Sequence, residues 1–154
     1  MTRISFLLLL VCLTGLASAA EIKLNDSLAL TLPPGWTGST KDGITTLIAP
    51  EKTPHIQIRV LPQHAATVQA NVTKLIVDQV KDFSPANVDM VSEGSHPGVC
   101  LTGTGVEADD GDPSNAEITI LSVPTGTVLV ISHGEGTGTA DRSKALAGIL
   151  ASLH

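Results

Sequence analysis

Aromatic residues are nearly missing from this chain: among 154 residues there is no Tyr, two Phe and one Trp. The core must therefore be filled by Val, Ile, Leu and Ala. Cysteine is equally scarce. Cys12 lies in an N-terminal apolar run, so once that run is removed Cys100 is alone and no internal disulfide can form. Positive charge is short too, with nine Lys and Arg against fifteen Asp and Glu. A domain with that balance repels phosphate and cannot release counterions, which argues against nucleic acid and anionic lipid surfaces as partners. Three catalytic signatures are also lacking: no Gly-x-Ser-x-Gly elbow, no Gly-Lys-Ser/Thr phosphate loop and no Cys-x-x-Cys pair.

What is present begins at the N-terminus. Arg3 precedes an apolar run from Ile4 to Leu16, and Ala17-Ser18-Ala19-Ala20 follows before the charged Glu21. A short positive region, an apolar stretch and small residues make a secretory signal, with cleavage expected after Ala19 or Ala20. The run is too short to span a bilayer comfortably, and no stop-transfer pattern follows. Residues 1–20 are thus expected to be a signal peptide and 21–154 a single domain, exported to the periplasm or secreted. Losing Arg3 while keeping all fifteen acidic residues shifts the formal charge from −6 to −7.

The mature chain alternates strand and turn signals. Leu24, Leu28, Leu30 and Leu32 fall at a period of two, with Asn25-Asp26 as an interrupting turn and Pro33-Pro34-Gly35 as the stop before Trp36. Further strands are expected over Ile44–Ala49, after the turn at Lys41-Asp42-Gly43, and over Ile56–Leu61. Val68, Val72, Leu75, Ile76, Val80 and Phe83 make one helical stripe, which predicts a helix over Thr67–Phe83 stopped by Pro85. Strands return at Val88–Ser92, Val99–Glu107, Ala116–Val123 and Thr127–Ser132, joined by short turns that favour an antiparallel meander. A final helix is expected from Ala140 to Leu153, with Leu146, Ile149, Leu150 and Leu153 on one stripe, Thr139 as its N-cap and Asp141 favourable to its dipole.

Four features invite a chemical reading. His133-Gly134-Glu135-Gly136-Thr137-Gly138 joins a strand to a helix, the setting of a phosphate cradle. Glu135 has the wrong sign for that role, and the loop is expected to connect two layers. Asp109-Asp110-Gly111-Asp112, flanked by Glu107 and Glu117, gathers carboxylates at a turn without the spacing of an EF-hand, so Asp109, Asp110 and Asp112 are candidate divalent-cation ligands. His96 and Cys100 stand four apart, with His55, His64 or His133 as further donors for a soft metal. Cys100 lies within Val99-Cys100-Leu101, which predicts a buried, neutral thiol. His133, Glu135 and Trp36 are expected to border a groove.

The order of elements, together with Leu30-Thr31-Leu32-Pro33-Pro34-Gly35-Trp36, resembles the PsbP-like fold shared with Mog-type Ran-binding proteins and small exported proteins of the DcrB type. The resemblance covers roughly Ile22 to Leu153. It implies an α+β domain, an antiparallel β-sheet flanked by helices in a three-layer α/β/α sandwich. It also implies adaptor or assembly roles, and neither a catalytic apparatus nor a cofactor. The expected function is an exported, non-catalytic binding or assembly module whose partner is another envelope protein. The alternative is a divalent-metal-binding envelope protein using the Asp109–Asp112 turn or His96 and Cys100.

Overall fold

The computed structural model describes residues 19–50, 55–135, 137–138 and 140–154. The expected signal peptide therefore lies outside the described residues except for its last two positions. So do Gly136, the N-cap at Thr139 and the side chain of Asp141.

Strands β1 (Ala20–Lys23) and β2 (Ala29–Leu32) pair as a separate two-stranded sheet. The turn between them is made by Asn25, whose side-chain oxygen accepts the amides of Ser27 at 2.9 Å and Leu28 at 2.8 Å. After β2 the chain turns at Pro33–Trp36. The Trp36 amide donates to the Pro33 carbonyl at 3.1 Å and Gly35 has φ +85°, the positive φ that a type II turn requires at its third residue. The C-terminus lies beside β2, where Ala29 and His154 exchange backbone hydrogen bonds of 2.9 and 3.1 Å.

Among the described residues the main sheet has seven strands: β3 (Thr37–Lys41), β4 (Ile44–Ile48), β5 (His55–Leu61), β6 (Val80–Glu93), β7 (His96–Glu107), β8 (Pro113–Val123) and β9 (Gly126–His133). Their order is β3-β4-β5-β9-β8-β7-β6, antiparallel throughout. Asp42 and Gly43 both take positive φ, as the tight turn between β3 and β4 demands. The last strand in sequence is central in space. Val128 and Val130 of β9 enter the core on one face, and Leu129 and Ile131 enter it on the other. A strand buried on both faces reads as an unbroken apolar run, and Thr127–Ile131 is one.

Each face has its own cover. On the first, Leu30 and Leu32 of the hairpin and Leu146, Ile149 and Leu150 of α3 (Ala140–Leu150) pack on Leu47, Ile58 and Val130. On the second, Val68 of α1 (Ala65–Ala70) and Val72 of α2 (Val72–Leu75) pack on Ile118, Ile120, Leu129 and Ile131. Each fully buried Leu or Ile contributes about 1.5–3 kcal/mol through apolar burial, which is how a chain almost without rings holds its core.

The expected helix over Thr67–Phe83 is overturned in its second half. It breaks at Asn71, ends at Leu75 and turns through residues 77–79, after which Val80 opens β6. Arg59 of β5 fixes this segment by donating to the Leu75 carbonyl at 2.7 Å and pairing with Asp78. The apolar stripe still holds together, since Val68, Val72, Ile76, Val80 and Phe83 share one cluster. A periodic stripe reports which residues are buried, and here a turn and a strand bury the second half of it. Pro85 stops no helix. It sits in edge strand β6 at a register shift, where its missing N–H costs little. Strand β3 was not expected, because all five of its residues are exposed and no apolar alternation marks it.

Candidate functional site

Three strand ends bring His55, His133 and Glu107 together on the second face. His55 opens β5 and pairs in register with His133, which closes β9. Their rings stack with centroids 5.3 Å apart and planes 15° apart. Glu107 closes β7, and its Oε1 lies 3.7 Å from His133 Nδ1, beyond hydrogen-bond reach. His133 is only 5% exposed, and among the described residues neither ring nitrogen has a hydrogen-bond partner. Burial pushes its pKa below the ordinary histidine value, and the charge of Glu107 opposes that shift. The ring is therefore neutral near pH 7, with a lone pair to offer.

The acidic turn follows directly on Glu107. Gly111 takes φ +83°, the Asp110 amide donates to Asp109 Oδ1 at 2.9 Å, and the Asp112 amide donates to Asp110 Oδ1 at 3.0 Å. These bonds fold the turn so that carboxylate oxygens of Glu107, Asp109 and Asp110 lie within 4.8 Å of one another. Asp112 stands apart from that group. It lines an open cavity of about 340 Å³ with Glu107, Pro113, Asn115, Gly134 and Glu135.

The other expected sites fare differently. His96 and Cys100 lie on one strand four residues apart, a separation of about 13 Å, so they cannot share an ion. Trp36 packs half-buried against the first-face core, whereas His133 continues the Leu129–Ile131 series of the second face. The proposed groove of His133, Glu135 and Trp36 is thus not a single surface. The Gly134 amide is already committed, donating to the Asn115 carbonyl at 3.1 Å and to Ser114 Oγ at 2.8 Å. It is not offered to an anion.

Glu117 also moves away from the acidic turn. It points to the first face and accepts a hydrogen bond from Ser143 Oγ of α3 at 2.7 Å. There it borders a cavity of about 270 Å³ between the sheet and α3, shared with Glu93, Cys100, Thr119 and Leu146. Cys100 is half-buried, not fully buried as expected. Burial first, and the charge of Glu117 second, push its thiol up to about 11. Glu93 is likewise raised, by burial and then by Glu117. Ser143 and Thr119 carry no sequence signal. Glu117 does, as a lone carboxylate inside the apolar strand Ala116–Val123.

No protein-family model matches this chain, and no curated protein matches it. Solved structures do. The chain is similar to the PsbP protein of the cyanobacterium Synechocystis sp. PCC 6803, at 14% identity and a TM-score of 0.59, over 92% of this chain and 94% of that one. It is similar to LpqN, a protein involved in cell envelope biogenesis of Mycobacterium tuberculosis, at 11% identity and a TM-score of 0.55, over 88% and 83% of the two chains. A Bacteroides thetaiotaomicron protein matches at 13% identity and a TM-score of 0.56, over 83% of this chain and 44% of that one. This chain thus spans less than half of that protein's length. The fold is PsbP-like, an antiparallel sheet with a few helices.

Proposed function

We propose that this chain is an exported, non-catalytic binding or assembly module of the cell envelope, with another protein as its partner. The outer edge of β6 carries the reading. This strand is 14 residues long and ends the sheet, leaving a row of backbone groups open to an added strand. Val88 and Met90 project from it 55% and 82% exposed. Met90 borders a shallow groove of about 210 Å³ with Gln69 of α1 and Pro97 and Val99 of β7. A flexible thioether beside such a groove suits a partner's apolar side chain.

Two further points support the reading. The N-terminal sequence has the composition of a secretory signal, and among the described residues no helix is long and apolar enough to cross a membrane. LpqN, whose fold is alike, is involved in cell envelope biogenesis. The reading also takes the cover on each face of the sheet as an outer layer of the three-layer sandwich that a PsbP-like domain implies.

The test is cross-linked capture from the native envelope with residues 21–154 as bait. A specific protein is expected, with capture falling at least about tenfold in a folded Val88→Lys, Met90→Lys double variant. Capture unchanged by that variant removes the β6 edge from the proposal. Turnover of a substrate by the purified domain refutes the non-catalytic reading. Terminal sequencing of the exported protein is expected to begin at Ala20 or Glu21.

A further inference from the structure

We propose that the β6 edge takes a partner strand in which basic and apolar residues alternate, with its Lys or Arg side chains lying over the cavity between the sheet and α3. This rests on the reading of β6 as the docking edge and adds the chemistry of what docks there. The two faces of the edge differ. Met90 pairs in register with Val99, which packs against the second-face core, and Val88 pairs with Leu101 of that core. Exposed Val88 and Met90 therefore project on the second face. Asp89, Val91 and Glu93 alternate with them and point the other way. Val91 packs against the first-face core, and all three border the cavity of about 270 Å³ beside Leu146 and Leu150 of α3. Every residue from Ser84 to Met90 is exposed, so the covers on the two sheet faces stop short of this stretch.

Charge complementarity selects the occupant. Among the described residues the side chains of Asp89 and Glu93 have no hydrogen-bond or ion-pair partner. His96 stands opposite Glu93 in register without pairing to it. Glu117, behind them in the cavity, is held by the Ser143 hydroxyl, and no described residue lining the cavity is Lys, Arg or His. Burial and the charge of Glu117 both raise the Glu93 carboxyl, and a neighbouring positive charge opposes both effects. Between the acids the walls are apolar, formed by Val91, Leu146 and Leu150. Such a lining suits a side chain with an aliphatic stem and a cationic head. In an added strand every second side chain falls on one face. Basic residues toward Asp89 and Glu93 thus leave apolar ones toward Val88 and Met90. A second copy of this chain fits poorly, because its β6 would bring a second Asp89 and Glu93 to the seam.

Fluorescence anisotropy tests it with a labelled peptide of alternating Lys and Val, about seven residues long, an ordinary strand length. The mature domain is expected to bind it at low salt with a Kd below about 100 μM. A peptide of the same composition with Lys and Val in separate blocks should bind at least about tenfold more weakly, as should one with Glu in place of Lys. An Asp89→Asn, Glu93→Gln double variant should weaken binding at least about fivefold. An Asp109→Asn, Asp110→Asn control, which removes the same charge beyond the other end of β6, should stay within about twofold. Amide hydrogen exchange along β6 should slow when the peptide is bound, as strand addition requires. Equal binding of the three peptides overturns the basic partner, as does binding unchanged by Asp89→Asn with Glu93→Gln, or no binding below about 1 mM. Those results leave the β6 edge itself to the capture experiment with Val88→Lys, Met90→Lys. Dimers of the domain alone that vanish in that variant assign the edge to a second copy and also overturn the proposal.

Discussion

Cys100 gives a sharp quantitative test of the first-face cavity. Its thiol is raised from an ordinary 9.0 to about 11. At pH 8 an ordinary thiol is about one-tenth thiolate, whereas one with a pKa near 11 is about one-thousandth thiolate. Only the thiolate alkylates, and a more basic thiolate is about six- to tenfold more nucleophilic, so native Cys100 should react with iodoacetamide about tenfold more slowly at pH 8 than the same residue in guanidinium. The native rate should keep climbing with pH beyond 10, where the unfolded rate levels off. Glu117→Gln removes the second cause of the shift and keeps an acceptor for Ser143, so labelling should accelerate and its pH midpoint should fall. The assay is mass-spectrometric labelling over a pH series. Equal native and unfolded rates at pH 8, or a Glu117→Gln profile identical to wild type, refute the account of this cavity.

Ile149 of α3 is fully buried, so Ile149→Ala should cost about 2–5 kcal/mol in urea unfolding. Gly126 has φ +139°, and a Cβ there would stand 2.2 Å from the Leu61 carbonyl oxygen. Gly126→Ala should therefore destabilise by about 1–3 kcal/mol, read as a lowered urea midpoint. Glu93 has a raised pKa, so its charged form is disfavoured in the folded state. Below its ordinary 4.5 both states hold the proton and the residue contributes nothing, while above the folded value the full penalty applies. Glu93→Gln should accordingly raise the melting temperature at pH 7 and leave it unchanged at pH 4.

Much of the architecture was legible where burial repeats with a strict period. Ile56 and Ile58, the run Thr127–Ile131, and Leu146, Ile149 and Leu150 of the final stripe all lie in the structure as their spacing predicts, whereas the helix expected to run to Leu153 ends at Leu150 and Leu153 is buried beyond it. The Asn25 and Asp42-Gly43 turns were legible from side-chain and φ chemistry. Thr37–Lys41 was not, because an exposed edge strand bears no apolar mark. Phe83 misled because the stripe it completes records burial rather than backbone form. The acidic corner was half legible. Glu107, Asp109 and Asp110 are neighbours in sequence, but His133 comes to lie beside Glu107 only through the pairing of β7 with β8 and of β8 with β9. Register across three strands is a property of the folded sheet. The same reasoning separates Glu117 from Glu107, since their positions face opposite sides.

The central place of β9 bears on how the molecule assembles. One consecutive meander, β3-β4-β5, and another, β6-β7-β8-β9, meet only along the seven residue pairs from His55↔His133 to Leu61↔Thr127. Each meander can form from local hairpins, and each then carries one raw edge until the other arrives. The docking of two half-sheets across a gap of more than sixty residues in the chain is therefore the expected last step of folding, slowed by the closure it requires. Pulse-labelled hydrogen exchange should find the amides of β5 and β9 along this seam gaining protection together and last. Until they do, the half-made molecule exposes two sticky strands, and a chaperone holding it has two edges to guard.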